Sequence, residues 1–460
     1  MNNNISNNKH DFNTEALALH AQHHGKIELK NKVPLANRDD LSRAYTPGVA
    51  AVCLAIANAS LTPPLSKGEG ENSSAFVFFP SPKLGEGGTK RSVVSDEGAS
   101  QRLAARQYTL KRNTVAIVSD GSAVLGLGNI GPLAAIPVME GKAAILKEFA
   151  GVDAFPICLD TQDTEEIIKA VKLIAPVFGA INLEDIAAPR CFEIEERLRA
   201  ELNIPVMHDD QWGTATVVLA GIINAIKLYN LKIYQNKKEE SKESFATSDV
   251  DVLTKENIKV IVNGVGSAGV AVSRLLFAYG ITDILFCDSK GLIHKGRVDL
   301  NKEKIELINN STANTSLFFS NEKNKDVLLA DVIKGRNIFI GLSKPNTVTK
   351  DMVKSMAEYP IIFSLANPVP EIMPEEAHEA GAFIVATGRS DYPNQLNNSL
   401  IFPGLFKGML QYDITQFDIS IFMRAAIALS SHVKNLSPEN ILPTMFDEEL
   451  VSVISKSVIS

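Results

Sequence analysis

Apolar residues fall in short blocks along this chain, and their spacing sorts most of it into alternating strands and helices. Blocks of four to six β-branched and apolar residues predict strands at 114–119, 155–159 and 180–183, with a shorter one at 206–207. Helical periodicity predicts helices over 14–24, 141–150, 164–173, 194–202 and 213–228. Further on, strands are expected at 259–263, 283–287, 337–340, 361–364 and 383–386, with a helix at 270–279, and the last 50 residues read as helical. Strands that alternate with helices predict parallel sheets covered on both faces, an α/β fold. Gly126, Gly128 and Gly131 mark a tight loop after the first strand, and Thr46-Pro47-Gly48 marks a turn.

Three stretches break the pattern. Residues 1–25 read as a flexible tail and a first helix, the opening Asn-rich part being too polar to order. Residues 61–100 are rich in Pro, Gly, Ser and charge, and the dipeptide Ala59-Ser60 recurs as Ala99-Ser100. With those 40 residues removed, CLAIANAS runs into QRLAARQYTL as one helical pattern. A loop of this length is unusual inside a compact domain. It reads as a disordered in-frame insertion, similar to the translated palindromic repeats found in some bacterial genes. Residues 234–256 read as a polar linker.

Composition narrows the function classes. Hydrophobic residues make up 45% of the 460, and 46 basic against 53 acidic residues leave a net charge of −7. No basic patch points to nucleic acid. The longest near-apolar run, 215–226, is interrupted by Thr216, Gly221 and Asn224, so no membrane span is expected. No signal-like segment opens the chain, and Cys53, Cys158, Cys191 and Cys287 stand scattered among apolar neighbours. Core thiols of a reducing cytoplasm are the expectation.

Two motifs carry chemistry. The strand ending at Asn263 runs into Gly264-Val265-Gly266-Ser267-Ala268-Gly269, then a helix, then a second strand ending in Asp288, 19 residues beyond Gly269. This is the dinucleotide fingerprint in its strand–turn–helix context. Gly264 permits the turn, Gly266 admits a pyrophosphate and Gly269 lets helix and strand pack closely. Free N–H groups at Ser267 and Ala268 would face the phosphates. Asp288 favours an unmodified ribose, whereas Ser289 and Lys290 suit a 2′-phosphate, so the motif reads as NAD or NADP. The second motif is a set of acids. Glu184-Asp185 and Asp209-Asp210 each follow a short strand, where open sheets place their ligands. Adjacent carboxylates repel unless a cation lies between them, and an all-oxygen set suits Mg²⁺ or Mn²⁺. The bland reading is that each pair caps a helix. His208 is a further ligand candidate.

The strings SRAYTPGVA (42–50), SDGSAVLGLGNIGP (119–132), PVMEGKAAILKEFAGVDAFPICLD (137–160), FGAINLEDIAAPRCFEIEERLR (178–199), PVMHDDQWGTATV (205–217), VNGVGSAGVA (262–271), LANPVPEIMP (365–374) and ATGRSDYPNQLNN (386–398) resemble malic enzyme of the short bacterial type. The resemblance covers about residues 26 to 430. It implies a malic-enzyme domain over 26–207 and a Rossmann-type, doubly wound NAD(P)-binding domain over 208–460. It also implies oxidative decarboxylation of (S)-malate to pyruvate and CO₂ with reduction of NAD(P)⁺, NADP being favoured. By the same resemblance Tyr45 is the acid that protonates the enolate, and Lys142 is the base that takes the 2-hydroxyl proton. Glu184, Asp185 and Asp210 ligate the divalent metal, and Asp209 supports the lysine. Asn367 and Asn398 contact substrate and the nicotinamide end, with Asn397 leaving a one-residue ambiguity. Short bacterial forms are often fused to a phosphate acetyltransferase-like domain, which is not expected here. A cytoplasmic homodimer or larger homo-oligomer acting on malate is the implied setting.

The chain departs from the family at two positions. Ala123 stands where longer, eukaryotic-type chains carry an arginine that clamps a malate carboxylate. Trp212 stands where close relatives often have His; the indole either crowds the site or packs below it. Rival readings are a catalytically impaired homologue that still binds cofactor, with the insertion as the cause, and a metal-free dehydrogenase of another 2-hydroxy or amino acid.

Overall fold

The computed structural model describes residues 12–23, 26–33, 35–44, 48–59, 96–240, 252–318 and 327–459. The chain divides into two compact units, Glu28–Arg112 and the remainder. Helix α1 (Phe12–His23) belongs to the larger unit. The smaller unit holds α2 (Arg38–Ala44), α3 (Gly48–Ala57) and α4 (Asp96–Tyr108). The segments 53–60 and 101–110, one helical pattern when 61–100 are left out, belong to two helices, α3 ending at Ala57 and α4 already begun at Asp96. The last five residues of the stretch read as an insertion are therefore helical. Residues 61–95 and the Tyr45-Thr46-Pro47 turn lie outside the described residues.

The larger unit contains two sheets. The first is parallel, in the order β2-β1-β3-β4, from β1 (Thr114–Ser119), β2 (Asp153–Cys158), β3 (Ala180–Leu183) and β4 (Val206–His208). β1 and β3 are buried along their whole length, so their apolar residues serve both faces. Around them lie α5 (Gly131–Ile145), α6 (Thr164–Ile174), α7 (Arg190–Glu201) and α8 (Asp209–Glu240). α5 begins ten residues before the predicted start, since Pro132 in its first turn is a helix-starting residue rather than a breaker. α8 runs seven residues into the stretch read as a polar linker; Lys, Glu and Gln between 234 and 240 are good helix formers. Residues 241–251 lie outside the described residues.

The second sheet comprises β5 (Val260–Asn263), β6 (Ile284–Asp288), β7 (Gly291–Leu292), β8 (Ile338–Gly341), β9 (Ile361–Ser364) and β10 (Ile384–Thr387). Its order is β10-β9-β8-β5-β6-β7, parallel except for β7. The chain builds outward from β5 to β6 and then crosses to β8 on the other side, a doubly wound topology with its switch point at β5/β8. The covering helices are α9 (Ser267–Tyr279), α10 (Lys302–Asn310), α11 (Leu329–Val332), α12 (Lys350–Lys354) and α13 (Pro374–Glu379), followed by α14 (Phe402–Gln411), α15 (Ile419–Ser431) and α16 (Leu450–Ser457). The last 50 residues are thus not helical throughout: the stretch between Ser431 and Leu450, with Pro438 and Pro443, is irregular.

α8 is long and apolar enough to cross a membrane by length and composition, but most of it is buried against protein. It packs on α9 and α15 and so joins the two sheets. Cys191 and Cys287 are buried as expected, and burial pushes the Cys287 thiol up to about 12. Cys53 is exposed and Cys158 half-buried, which corrects the reading of all four as core thiols: their apolar neighbours in sequence do not face inward with them.

Candidate active site

Three strands of the first sheet end side by side, and each releases a functional loop. After β1, Asp120 is buried and holds its loop in shape. Its Oδ1 accepts from the Ser122 backbone N–H (3.0 Å) and hydroxyl (2.5 Å), and its Oδ2 accepts from Arg190 Nη2 (2.7 Å). The Ala123 N–H donates to the Asp185 carbonyl at 2.9 Å, so the loop after β1 is tied to the acidic loop after β3. Ala123 therefore serves through its backbone here, and Arg190 is committed to Asp120.

Lys142 projects from α5 into the acids. Its Nζ lies 2.5 Å from Asp209 Oδ2 and 2.9 Å from Glu184 Oε1, with the side chain only 10% exposed. The ring of Phe402, at the start of α14, covers the ammonium at 4.6 Å. Burial alone would lower the lysine pKa; Asp209, Glu184 and Asp210 outweigh it and raise it above the ordinary value. Burial raises the Glu184 carboxyl well above its usual range, Asp210 adds to this, and Lys142 opposes it. Asp209 is likewise raised by burial against Lys142. The Asp185 N–H donates to Asp210 Oδ2 at 2.7 Å, and Asn182 Nδ2 donates to Glu184 Oε2 at 2.9 Å.

One oxygen each of Glu184, Asp185 and Asp210 lie within 4.8 Å of one another. Four carboxyl groups (184, 185, 209, 210) gather around the Lys142 ammonium in a largely buried pocket. Asp209 Oδ1 is buried with no hydrogen-bond partner among the described residues. An all-oxygen donor set with unmet negative charge fits a hard divalent cation. His208 is outside this trio: its ring is fully buried, with Nδ1 3.8 Å from Asp210 Oδ2. Trp212 packs below the acids. Its Nε1 donates to Glu195 Oε2 at 3.1 Å, and its ring stacks on Phe422 at 4.7 Å.

The fingerprint forms the second half of the site. Gly264 has φ +104°, and a Cβ there would lie 2.3 Å from the Leu342 carbonyl oxygen; only glycine fits between β5 and the loop after β8. Gly266 is the exposed N-cap of α9 and has no side-chain cap. Ser267 and Ala268 follow half-buried, so the first N–H groups of the helix are available to an anion. Asp288 ends β6 as predicted, but its acceptors are taken. Oδ1 receives the Lys290 N–H (2.9 Å) and Arg297 Nη1 (2.8 Å); Oδ2 receives Arg297 Nη2 (3.1 Å) and Lys304 Nζ (2.6 Å).

The two halves meet at Asn367. Gly126, in the loop after β1, lies so close that a Cβ there would sit 1.9 Å from the Asn367 carbonyl oxygen. Asn398 packs beside the start of α8: a Cβ at Gly213 would lie 2.9 Å from the Asn398 Cβ and 2.0 Å from Asp209 Oδ1. Asn397 accepts the Ser399 N–H at 2.9 Å as a cap and donates to Gly388 O, which leaves Asn398 as the amide beside the acids. Sequence reasoning missed Phe402, Arg297 and Lys304, which stand in no motif, and Glu371. Glu371 is fully buried and accepts the Ser343 N–H (2.8 Å) and the Ala366 N–H (3.0 Å), clasping the loops after β8 and β9. It lies within LANPVPEIMP, quoted above for the resemblance, where no role was read for it.

Comparison with known proteins now adds to the geometry. The profile of the malic enzyme N-terminal domain matches residues 92–199, and that of the malic enzyme NAD-binding domain matches residues 212–459. The chain belongs to the malic enzyme family. It is 45% identical over 447 residues to the bifunctional malic/malolactic enzyme of Bacillus subtilis, covering 96% of this chain and 91% of that one. It is 37% identical to the NADP-dependent malic enzyme of Salmonella typhimurium, covering 94% of this chain and 50% of that longer protein. A crystal structure of the NAD-dependent malic enzyme from Thermotoga maritima superposes with a TM-score of 0.76 at 39% identity, covering 96% of this chain and 98% of that one. Malic enzymes oxidatively decarboxylate malate, and relatives of both cofactor dependences surround this chain. Its malic-enzyme architecture is the parallel α/β fold described above.

Proposed function

We propose that this protein converts (S)-malate to pyruvate and CO₂ with reduction of NAD(P)⁺, using Mg²⁺ or Mn²⁺ held by Glu184, Asp185 and Asp210. The observation that carries the reading is Lys142, a buried ammonium set between Asp209 and Glu184 at the edge of the acidic trio. Lys142 takes the 2-hydroxyl proton as hydride leaves C2 for the nicotinamide. Asp209, hydrogen-bonded to that nitrogen, fixes its direction and offsets its charge. When bound, the metal would polarise the 2-oxygen of malate as a Lewis acid and cancel carboxylate charge that otherwise keeps Lys142 protonated. Cleavage of C3–C4 releases CO₂ and leaves the electron pair for C3, where Tyr45 delivers a proton; that role rests on the SRAYTPGVA motif. Phe402 keeps water from the lysine, and Asn367 and Asn398 orient substrate against the nicotinamide.

NADP⁺ is the proposed preferred cofactor. Supporting it, the Asp288 carboxylate is already occupied by Arg297 and Lys304, so a ribose diol would have to displace a cation, whereas a 2′-phosphate would gain two. A cytoplasmic homo-oligomer with no nucleic-acid or membrane partner completes the proposal on the family resemblance.

The test is reduced-nicotinamide absorbance with L-malate and Mn²⁺, run with NAD⁺ and NADP⁺ in parallel, with pyruvate assayed in the same samples. Metal-dependent reduction with one pyruvate per reduced cofactor, faster with NADP⁺, is expected. Reduction that needs no metal, or yields no pyruvate, refutes the proposal.

A further inference from the structure

Glu195 touches none of the groups assigned to the reaction, yet it is 5% exposed and aimed at the segment that carries two of them. It lies in the middle of α7. Its Oε1 accepts the His208 backbone N–H at 3.0 Å. Its Oε2 accepts Gln211 Nε2 and Trp212 Nε1, both at 3.1 Å. These three donors span the junction of β4 and α8 and bracket Asp209 and Asp210 on both sides. Asp210 in turn accepts the Asp185 N–H at 2.7 Å. Arg199, one turn along α7, stands 3.9 Å from Glu195 Oε1 and also donates to the Phe417 carbonyl, so the carboxylate is itself held.

We infer that Glu195 is a positioning residue that sets the first turn of α8, and with it Asp209 and Asp210, in the geometry that binds the divalent cation. The inference rests on the metal reading proposed above. A carboxylate is suited to the task because it only accepts, and all three partners only donate toward it. Its hydrogen bonds are local: among the described residues none joins Glu195 to α9 or the fingerprint, and Arg274 of α9, which feels its charge, is ion-paired to Glu306. Loss of Glu195 therefore acts on metal affinity and spares cofactor binding. Groups of this kind behind metal ligands typically change metal affinity by about 10- to 100-fold when removed. Trp212 is the only tryptophan in the chain, so its emission reports directly on the clamp.

The experiment uses full-length wild type, Glu195→Ala and Glu195→Gln. Free Mn²⁺ is counted by electron paramagnetic resonance, NADP⁺ binding by calorimetry, and stability by thermal unfolding. Glu195→Ala is expected to weaken Mn²⁺ binding by at least about tenfold and to leave NADP⁺ affinity unchanged. Glu195→Gln keeps one acceptor oxygen but turns a donor toward Gln211 and Trp212, so it is expected to fall between the other two. Mn²⁺ quenching of Trp212 emission should shift to higher concentration in the same order. Wild-type Mn²⁺ affinity in Glu195→Ala, or an equal loss of NADP⁺ affinity, overturns the inference. If the alanine variant does not fold, Glu195→Gln with wild-type Mn²⁺ affinity overturns it instead. Absence of Mn²⁺ binding in the wild type refutes the metal reading itself, a different result from binding that Glu195 does not affect.

Discussion

Lys142→Met keeps the apolar stem against Phe402 and removes the Lys142 ammonium from four clustered carboxyl groups. At an effective dielectric of 20, each contact of Lys142 with Asp209 and Glu184 has a gross attraction of about 6 kcal/mol. Desolvation of three buried ions offsets most of that, so removing one partner is expected to cost about 3–5 kcal/mol. The cost depends on pH with a definite sign. Glu184 and Asp209 already have raised carboxyl pKa values, and Lys142 is what restrains them. In the variant they rise further and stay protonated in the folded state. A raised folded-state pKa gives stability that is present at low pH and lost as pH climbs through it. Metal-free Lys142→Met should therefore approach wild type in acid and fall progressively behind it above about pH 4, where unfolded carboxyls ionise. Thermal unfolding with chelator at several pH values measures this. Added Mn²⁺ should recover part of the stability but none of the turnover, because the base is gone; a loss of about 10²- to 10⁴-fold is expected. A folded variant with turnover within about tenfold of wild type, or with a pH-independent stability difference, would refute the assignment of Lys142 as both base and charge balance.

Arg297→Gln removes the bidentate partner of Asp288 and leaves it only Lys304 and the Lys290 N–H among the donors described above, so a ribose competes more easily for that acid. KM for NADP⁺ should rise by about tenfold or more, a charge-assisted pair's worth, while KM for NAD⁺ falls or holds; steady-state kinetics with both cofactors decide. Gly126→Ala forces the loop after β1 away from Asn367, because its Cβ would meet that carbonyl at 1.9 Å. Overpacking of this kind should cost about 1–3 kcal/mol and lower kcat more than it changes NADP⁺ affinity, as read from unfolding and kinetics together.

The strands were the most legible elements. Residues 114–119, 180–183 and 361–364 were bounded correctly because each is a fully buried apolar run stopped by Asp-Gly, Glu-Asp or a following loop. Helix ends were harder. The start of α8 at Asp209 coincides with two acids whose side chains serve the site, and its last turns are polar and partly exposed. Of the site, the acid pairs and the fingerprint could be placed from spacing, and Lys142 from the family resemblance. The state of Asp288 could not: Arg297 and Lys304 reach it across a β-turn and a helix start that only tertiary structure defines. Nor could Glu195, whose partners lie 13 to 17 positions away on another element. The choice between Asn397 and Asn398 needed a cap to be seen.

The 32-residue helix α8 also determines where this gene can tolerate length changes. At 3.6 residues per turn, one added or deleted residue rotates everything beyond it by about 100°. Asp209 and Asp210 sit at one end and the faces that meet α9 and α15 lie further along, so a single inserted codon between them would turn the acids away from Lys142 or strip the fingerprint helix of its support. A compensating slide is opposed because α8 starts directly after β4 and packs along its length on α9 and α15. The chain has a long polar stretch at 61–100 that reads from the sequence as an insertion. It would not be expected to accept one residue inside this rod. Natural length variation among relatives should therefore cluster at the two polar stretches and be absent between residues 209 and 230.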